Sequence, residues 1–330
     1  MTNILLQVNG LTIASPEQAC LVDDVSFVLH EGEILGLVGE SGSGKTLTCR
    51  SLMQLLPKGV LEVRAGEILF AGQDVLNMTE TQLQQLRGRG IGMIFQNPST
   101  HLNPLMTIGQ HMIESLRLYQ RLSAKAARTK AVAILAQVGI PSPQQRFDAY
   151  AHEFSGGMRQ RAMIAIALAA APKILIADEP TTALDVTVQA QILKLLDQLR
   201  REYGLAIILI THDLGVVAQT CDRVAVMYGG RICEVATTVD LLRHPKHPYT
   251  CGLIECQPVT GESGQRVLKT IPGQPPTAHT MAAGCRFHPR CDKAVDLCRT
   301  KPPAREVFSE REVSCYFPDT QNSDEVRYGR

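Results

Sequence analysis

The sequence predicts an α/β fold with an inserted helical region and a small cysteine-rich C-terminal extension. Three observations carry this. A short apolar run, Ile34 to Val38, feeds a glycine-rich loop that opens a helix. Two later apolar runs, ending at Asp178 and Ile210, each break abruptly into polar residues. Beyond Gly261 the composition shifts to Pro, Gly, Arg and Cys.

At 330 residues the chain suits one large domain, residues 1–260, and a smaller one, 261–330. With 45% hydrophobic and 20% charged residues it has an ordinary globular composition. A formal net charge of +1 gives no general reason to bind nucleic acid or an anionic membrane. The start, Met-Thr-Asn-Ile, has no basic segment or cleavage pattern, which points to the cytosol. The longest apolar run, Ala162 to Ala177, contains Pro172 and Lys173 and is too short to span a bilayer.

Gly39-Glu40-Ser41-Gly42-Ser43-Gly44-Lys45-Thr46 fits the phosphate-binding pattern G-x-x-x-x-G-K-[ST]. A glycine turn alone has the same composition, but here a strand precedes it and a helix, Leu47 to Leu56, follows. Glycines let successive backbone N–H groups face one phosphate chain at the positive end of the helix. Lys45 is placed to reach the β- and γ-phosphates, and the Thr46 hydroxyl to hold Mg²⁺.

Strands are expected over Ile4 to Val8, Leu11 to Ala14, Val25 to Leu29 and Gly66 to Phe70, and a polar helix over Thr79 to Arg87. Ile91 to Phe95 is a short apolar run that delivers Gln96. From Asn97 to His152 the spacing of Met112, Leu116, Leu118, Ile134, Leu135 and Val138 is helical, and the helical subdomain is placed at about 97–158. Ser155-Gly156-Gly157 caps a long apolar helix. The buried-type strand from Lys173 then ends in Asp178 and Glu179, at the carboxyl edge where open α/β sheets bind ligands. Asp178 suits Mg²⁺ through its water shell. Glu179 suits the orientation and deprotonation of an attacking water. The strand Leu205 to Ile210 delivers His212 to the same edge, near the γ-phosphate.

These pieces in this order resemble the ATP-binding cassette (ABC) family over about residues 1–235. Gly39 to Thr46 matches Walker A, with Gly39, Ser41, Gly42, Ser43, Gly44, Lys45 and Thr46 on the nucleotide. Gln96 matches the Q-loop, Ser155 to Met158 the signature, Ile174 to Glu179 Walker B, Asp185 the D-loop and His212 the switch histidine. The resemblance implies a P-loop NTPase (RecA-like) core with an N-terminal antiparallel β subdomain. It is closer still to ATPase subunits of oligopeptide, dipeptide and nickel importers, through Ile94-Phe95-Gln96-Asn97-Pro98, Ala177 to Gln189, His247-Pro248-Tyr249-Thr250 and Ile271 to Pro276.

The resemblance further implies catalysis by Glu179, His212 and Gln96, with ATP and with Mg²⁺ on Thr46 and Gln96. Two such subunits, one a paralogue of the other, sandwich ATP, so that Ser155 and Gly157 complete the partner's site. Two transmembrane permease subunits and an extracytoplasmic substrate-binding protein complete the assembly, at the cytoplasmic face of the inner membrane. No nucleic acid is implied. An alternative is a soluble cassette ATPase with an iron–sulfur regulatory or assembly role. One departure stands out: no Phe, Tyr or Trp precedes Phe27, where the family places an aromatic on adenine, so aliphatic contact is expected there.

Four of the ten cysteines, Cys285, Cys291, Cys298 and Cys315, fall in a stretch too poor in aliphatics for its own core. Disulfides are disfavoured by compartment, and four thiolates suit Zn²⁺ or an iron–sulfur cluster. The intervening loops of five, six and sixteen residues exceed the usual short zinc chelate and favour the cluster. The importer resemblance implies a [4Fe-4S] cluster; Zn²⁺ and unligated core cysteines are the alternatives.

Overall fold

Burial of the predicted apolar runs decides the architecture. The computed structural model describes residues 3–17, 19–182, 184–257, 259–260, 266–267, 269–308 and 311–319. Gly261, where the extension was expected to begin, and Ala183 lie outside the described residues. By packing the chain forms two units. One holds His30–Glu33 and Asp74–Ile210. The other holds Ile4–Leu29, Ile34–Gln73 and the described part of 211–330.

In the second unit the strand Ile34–Val38 is buried at every position. It lies parallel to Arg223–Tyr228, with Leu35 opposite Arg223 and Val38 opposite Val226. Such continuous apolar runs are what parallel strands covered on both faces require. Arg223–Tyr228 pairs antiparallel with Arg231–Thr237. The extension joins this sheet: Arg311–Val313 pairs with Arg231–Thr237, and Glu306–Phe308 pairs with Arg311–Val313.

The N-terminal segment is one strand, Ile4–Ala14, where two were expected. The polar pair Asn9-Gly10 that suggested a break is a register shift within it. Gly10 takes φ 58°, and the ladder with the antiparallel Glu62–Phe70 slips between Asn9 and Thr12. Cys20–His30 flanks Ile4–Ala14 on its other side in the same sheet. The helix after the phosphate loop is shorter than expected, Lys45–Ser51, because Gln54 turns the chain at φ 49°.

In the other unit Ile174–Asp178 lies parallel to Ile91–Ile94 on one side and Ala206–Thr211 on the other. Ile94 stands opposite Ala177, and Asp178 opposite Ile210. The expected polar helix is α-helical over Glu80–Gln85 and continues as a π-helix, Leu86–Gly90. The helical region contains Ile108–Gln120, capped by a Thr107/Gln110 box, and Ala124–Gln137, capped by Ser123. Both pack on Gly156–Ala169. Met112, Leu116, Ile134 and Leu135 are buried there, whereas Leu118 faces outward. Among the described residues no helix is long and apolar enough to cross a membrane.

Candidate active site

The phosphate loop leaves its strand at Gly39, which takes φ 155° and passes close behind Met227. A Cβ on Gly39 would stand 2.1 Å from the Met227 carbonyl oxygen. Gly44, at φ 98°, caps the helix Lys45–Ser51. Lys45 is only 6% exposed, and its ammonium is held by the loop itself. Its Nζ donates to the carbonyls of Gly39 (2.8 Å) and Glu40 (2.9 Å) and to Ser43 Oγ (3.1 Å). The cation is thus fixed across the mouth of the loop. Val22 Cγ2 would lie 3.2 Å from a Cβ on Gly44, so the segment beside the loop is aliphatic at this point, as the sequence indicated. In the same unit His212 is exposed, just before Asp213, whose Oδ1 caps the helix Leu214–Thr220 by accepting from Gly215 N at 2.7 Å.

The acidic edge is built by the parallel ladder of the other unit. Asp178, the last residue of its strand, is 3% exposed. Glu179 leaves the strand with a left-handed φ of 46°, rare for a non-glycine residue and a conformation that costs about 1 kcal/mol or more. Its N–H still donates to the Ile210 carbonyl at 3.0 Å, so the sheet holds the strained turn. Gln96 sits two residues past the neighbouring strand, and its Nε2 donates to Glu179 Oε2 at 2.6 Å. Thr182 Oγ1 donates to the same oxygen at 2.9 Å. The structure brings the expected residues Gln96 and Glu179 together and adds Thr182, which the sequence did not single out although it lies in the same Asp-Glu-Pro-Thr-Thr run.

Ser155 caps Gly156–Ala169 by accepting from Met158 N at 3.4 Å. Ser155 and Gly156 are exposed, so the start of this helix faces out of its unit. Gly157 abuts a later helix: a Cβ there would stand 2.9 Å from Val188 Cγ1. Asp185 caps that element, Val186–Tyr203, by accepting from Val188 N at 2.9 Å.

The relatives of the chain decide its family. It is 48% identical to the oligopeptide transport ATP-binding protein OppD of Salmonella typhimurium, over 96% of this chain and 94% of that one. The chain belongs to the ATP-binding subunits of ABC transporters. It is also 45% identical to the dipeptide transport ATP-binding protein DppD of Bacillus subtilis, over 98% of this chain and 96% of that one. The family described as ABC transporter matches residues 22–182, and that described as oligopeptide/dipeptide transporter, C-terminal region, matches residues 233–298. Among solved structures the fold is similar to cbiO1 of Clostridium perfringens, part of the ABC transporter complex cbiONQ. The TM-score is 0.65 and the identity 27%, covering 73% of this chain and 92% of that one. It is also similar to the ATP-binding cassette MJ0796 in a dimeric post-hydrolysis state bound to ADP and Pi. There the TM-score is 0.63 and the identity 26%, covering 71% of this chain and 98% of that one. The ABC subunit therefore has the P-loop ATPase fold and is an ATPase that uses ATP with Mg²⁺.

The extension of this ABC subunit brings its four cysteines to one place. Cys285, Cys291, Cys298 and Cys315 all line a cavity of about 20 Å³, with Phe287 and His247 among its walls. Burial raises the pKa of Cys285 and Cys291 and pushes that of Cys315 up to about 11, with neighbouring cysteines adding to the effect. The room at their centre is about that of one water molecule. Among the described residues no group of three or more His, Cys, Asp or Glu is disposed to hold a metal ion. The ligand set expected for a [4Fe-4S] cluster or Zn²⁺ is therefore found as a convergence of thiols and not as a metal-holding geometry.

Proposed function

We propose that this ATPase energises peptide uptake through separate membrane subunits. The observation that carries the reading is the full-length likeness to oligopeptide and dipeptide transport ATP-binding proteins, including the region at residues 233–298. That segment lies outside the part shared with cassettes in general and is named for peptide transport. Nickel chelates stand behind peptides as cargo.

In the proposed reaction the loop amides of Gly39, Ser41, Gly42, Ser43 and Gly44 and the ammonium of Lys45 bind the phosphates. Thr46 and Gln96 would hold Mg²⁺, with Asp178 acting on its water shell, and the ion would supply neutralisation of phosphate charge. Glu179 takes a proton from the attacking water, and its grip by Gln96 and Thr182 sets the carboxylate's direction. His212 stabilises charge on the γ-phosphate. Asp185, Ser155 and Gly157 serve a second ATPase subunit, a paralogue. The outward-facing Ser155 cap supports this, because an N–H-rich helix start is matched by a phosphate arriving from another chain. Loss of the γ-phosphate then opens the pair. Two permeases and an extracytoplasmic binding protein choose the cargo, and the subunit works at the cytoplasmic face of the inner membrane.

Among the described residues the four thiols converge without a metal-holding geometry, and no step of the reaction is routed through a cluster or zinc. Iron, sulfide and zinc analysis of protein purified without air decides the point: stoichiometric iron and sulfide favour the cluster, zinc the alternative. A metal-free protein contradicts both.

Reconstitution with the permeases and the receptor tests the function. ATP hydrolysis is expected to rise when the receptor carries an oligo- or dipeptide. Stimulation by a nickel chelate and not by any peptide would overturn the peptide reading.

A further inference from the structure

The segment between Cys285 and Cys291 carries two arginines that reach the phosphate loop by separate routes. Arg290 is almost fully buried and makes a two-pronged ion pair with Glu40, the second residue of the loop. Nη1 meets Oε2 at 2.6 Å and Nη2 meets Oε1 at 3.0 Å. Its remaining donors go to Pro272 O (2.8 Å), Ile271 O (3.2 Å) and Tyr228 Oη (3.4 Å). A guanidinium has five N–H donors, and all five are used within the protein. Arg290 therefore has no donor left for a ligand and acts on the loop alone.

Glu40 is pinned on every side. Its side chain is held by Arg290. Its N–H donates to Tyr249 Oη at 2.9 Å, and its carbonyl accepts from Lys45 Nζ at 2.9 Å. Arg290 thus fixes the residue whose carbonyl aims the phosphate-binding lysine. The second route runs through Arg286, also buried. Its guanidinium donates to the Gly229 carbonyl and to Asp23 Oδ2, the latter at 2.7 Å. The next residue, Gly230, donates its N–H to the Ser43 carbonyl at 3.0 Å. Between the two arginines, Phe287 packs edge-on against Tyr228 with centroids 5.1 Å apart, and against Tyr249 at 5.3 Å.

We propose that the cysteine-rich extension braces the phosphate loop, with Arg290 as a positioning residue for ATP binding. The proposal rests on residues 39–46 being the ATP-phosphate site. Without the brace the Glu40 carbonyl and Lys45 lose their fixed relation, which weakens binding and leaves the chemistry of bound ATP intact. Displacements of about 1 Å in such groups cost up to about a hundred-fold.

The test measures ATP affinity by fluorescent-nucleotide titration, and KM and kcat by hydrolysis, on the assembled transporter. Arg290→Gln and Glu40→Gln are each expected to weaken ATP affinity and raise KM by about ten-fold or more, with kcat at saturating ATP within about two-fold. Arg290→Lys, which keeps the charge and loses the fork, is expected to recover only part. The double variant is expected to be no worse than Arg290→Gln alone, because both changes break the same ion pair. Glu40→Gln, the gentler change, carries the same expectation where Arg290→Gln does not assemble. Wild-type affinity in either folded single variant, or additive losses in the double variant, would overturn the brace. Lys45→Ala separates this from the premise: if it binds ATP as well as wild type, the phosphate-site reading itself fails.

Discussion

Gln96 and Glu179 stand 83 residues apart in the chain, yet Gln96 Nε2 donates to Glu179 Oε2 at 2.6 Å. Two parallel strands in register, Ile91–Ile94 and Ile174–Asp178, bring them to one sheet edge. A carboxylate held by a neutral amide loses rotational freedom, which is one condition of a positioned base. Gln96→Ala is expected to lower kcat by about ten- to a hundred-fold, with Thr182→Val giving a smaller loss on the same oxygen. Steady-state hydrolysis by the assembled transporter checks this. An unchanged kcat in Gln96→Ala would separate the contact from turnover.

The aliphatic segment beside the loop bears on base selectivity. Val22 is buried next to Gly44, and no aromatic side chain precedes Phe27. Stacking on an aromatic ring contributes about 1–3 kcal/mol per base. Without it GTP is expected to compete with ATP more effectively than in a cassette with a stacked adenine. Nucleotide competition measures this directly, and strict adenine preference would count against it.

The loop glycines differ in what they do, and substitution should separate them. Gly39→Ala drives a Cβ to 2.1 Å from the Met227 carbonyl oxygen, a backbone atom that cannot swing away. Gly42→Ala, at φ 78°, meets nothing within 4 Å and costs only the left-handed backbone, about 1–2 kcal/mol. ATP affinity and thermal stability should fall far more for Gly39→Ala. Equal effects would show that the close pass behind Met227 does not matter.

His247 gives the extension's anchor an acid limit. Its Nδ1 accepts from Tyr249 N at 3.0 Å at the start of the helix Pro248–Glu255, and burial lowers its pKa to about 4. The folded value lies below the unfolded value of about 6.5, so this stability is complete above pH 6.5 and is lost as pH falls through 4. The shift corresponds to roughly 3 kcal/mol. Denaturation against pH should show that loss, and His247→Asn, which can still cap the helix, should flatten it. Equal slopes in both proteins would remove His247 as the cause.

The site was legible in the sequence where its chemistry lies in contiguous runs. The phosphate loop, the Asp178-Glu179 step and the Ser155 cap each combine a strand or helix signal with the residues that act. What escaped depends on chain returns that no local pattern encodes. Arg290 finds Glu40 across 250 residues, through the joining of the extension to the sheet at Arg231–Thr237. The early end of the helix Lys45–Ser51 escaped because Gln54 adopts a left-handed φ that residue type does not announce. The single strand Ile4–Ala14 escaped because a bulge at Gly10 has the same sequence signature as a turn. The cysteines were expected as cluster ligands; they converge on one small cavity, and among the described residues they make no metal-holding group.

The most direct measurement is ATP binding and turnover by the assembled transporter carrying Glu179→Gln. The amide keeps the shape and removes the proton acceptor. ATP affinity is expected to hold, the nucleotide to stay bound unhydrolysed, and turnover to fall by at least about a hundred-fold. Turnover near that of the wild type would contradict Glu179 as the base and, with it, the account of this edge as the seat of hydrolysis.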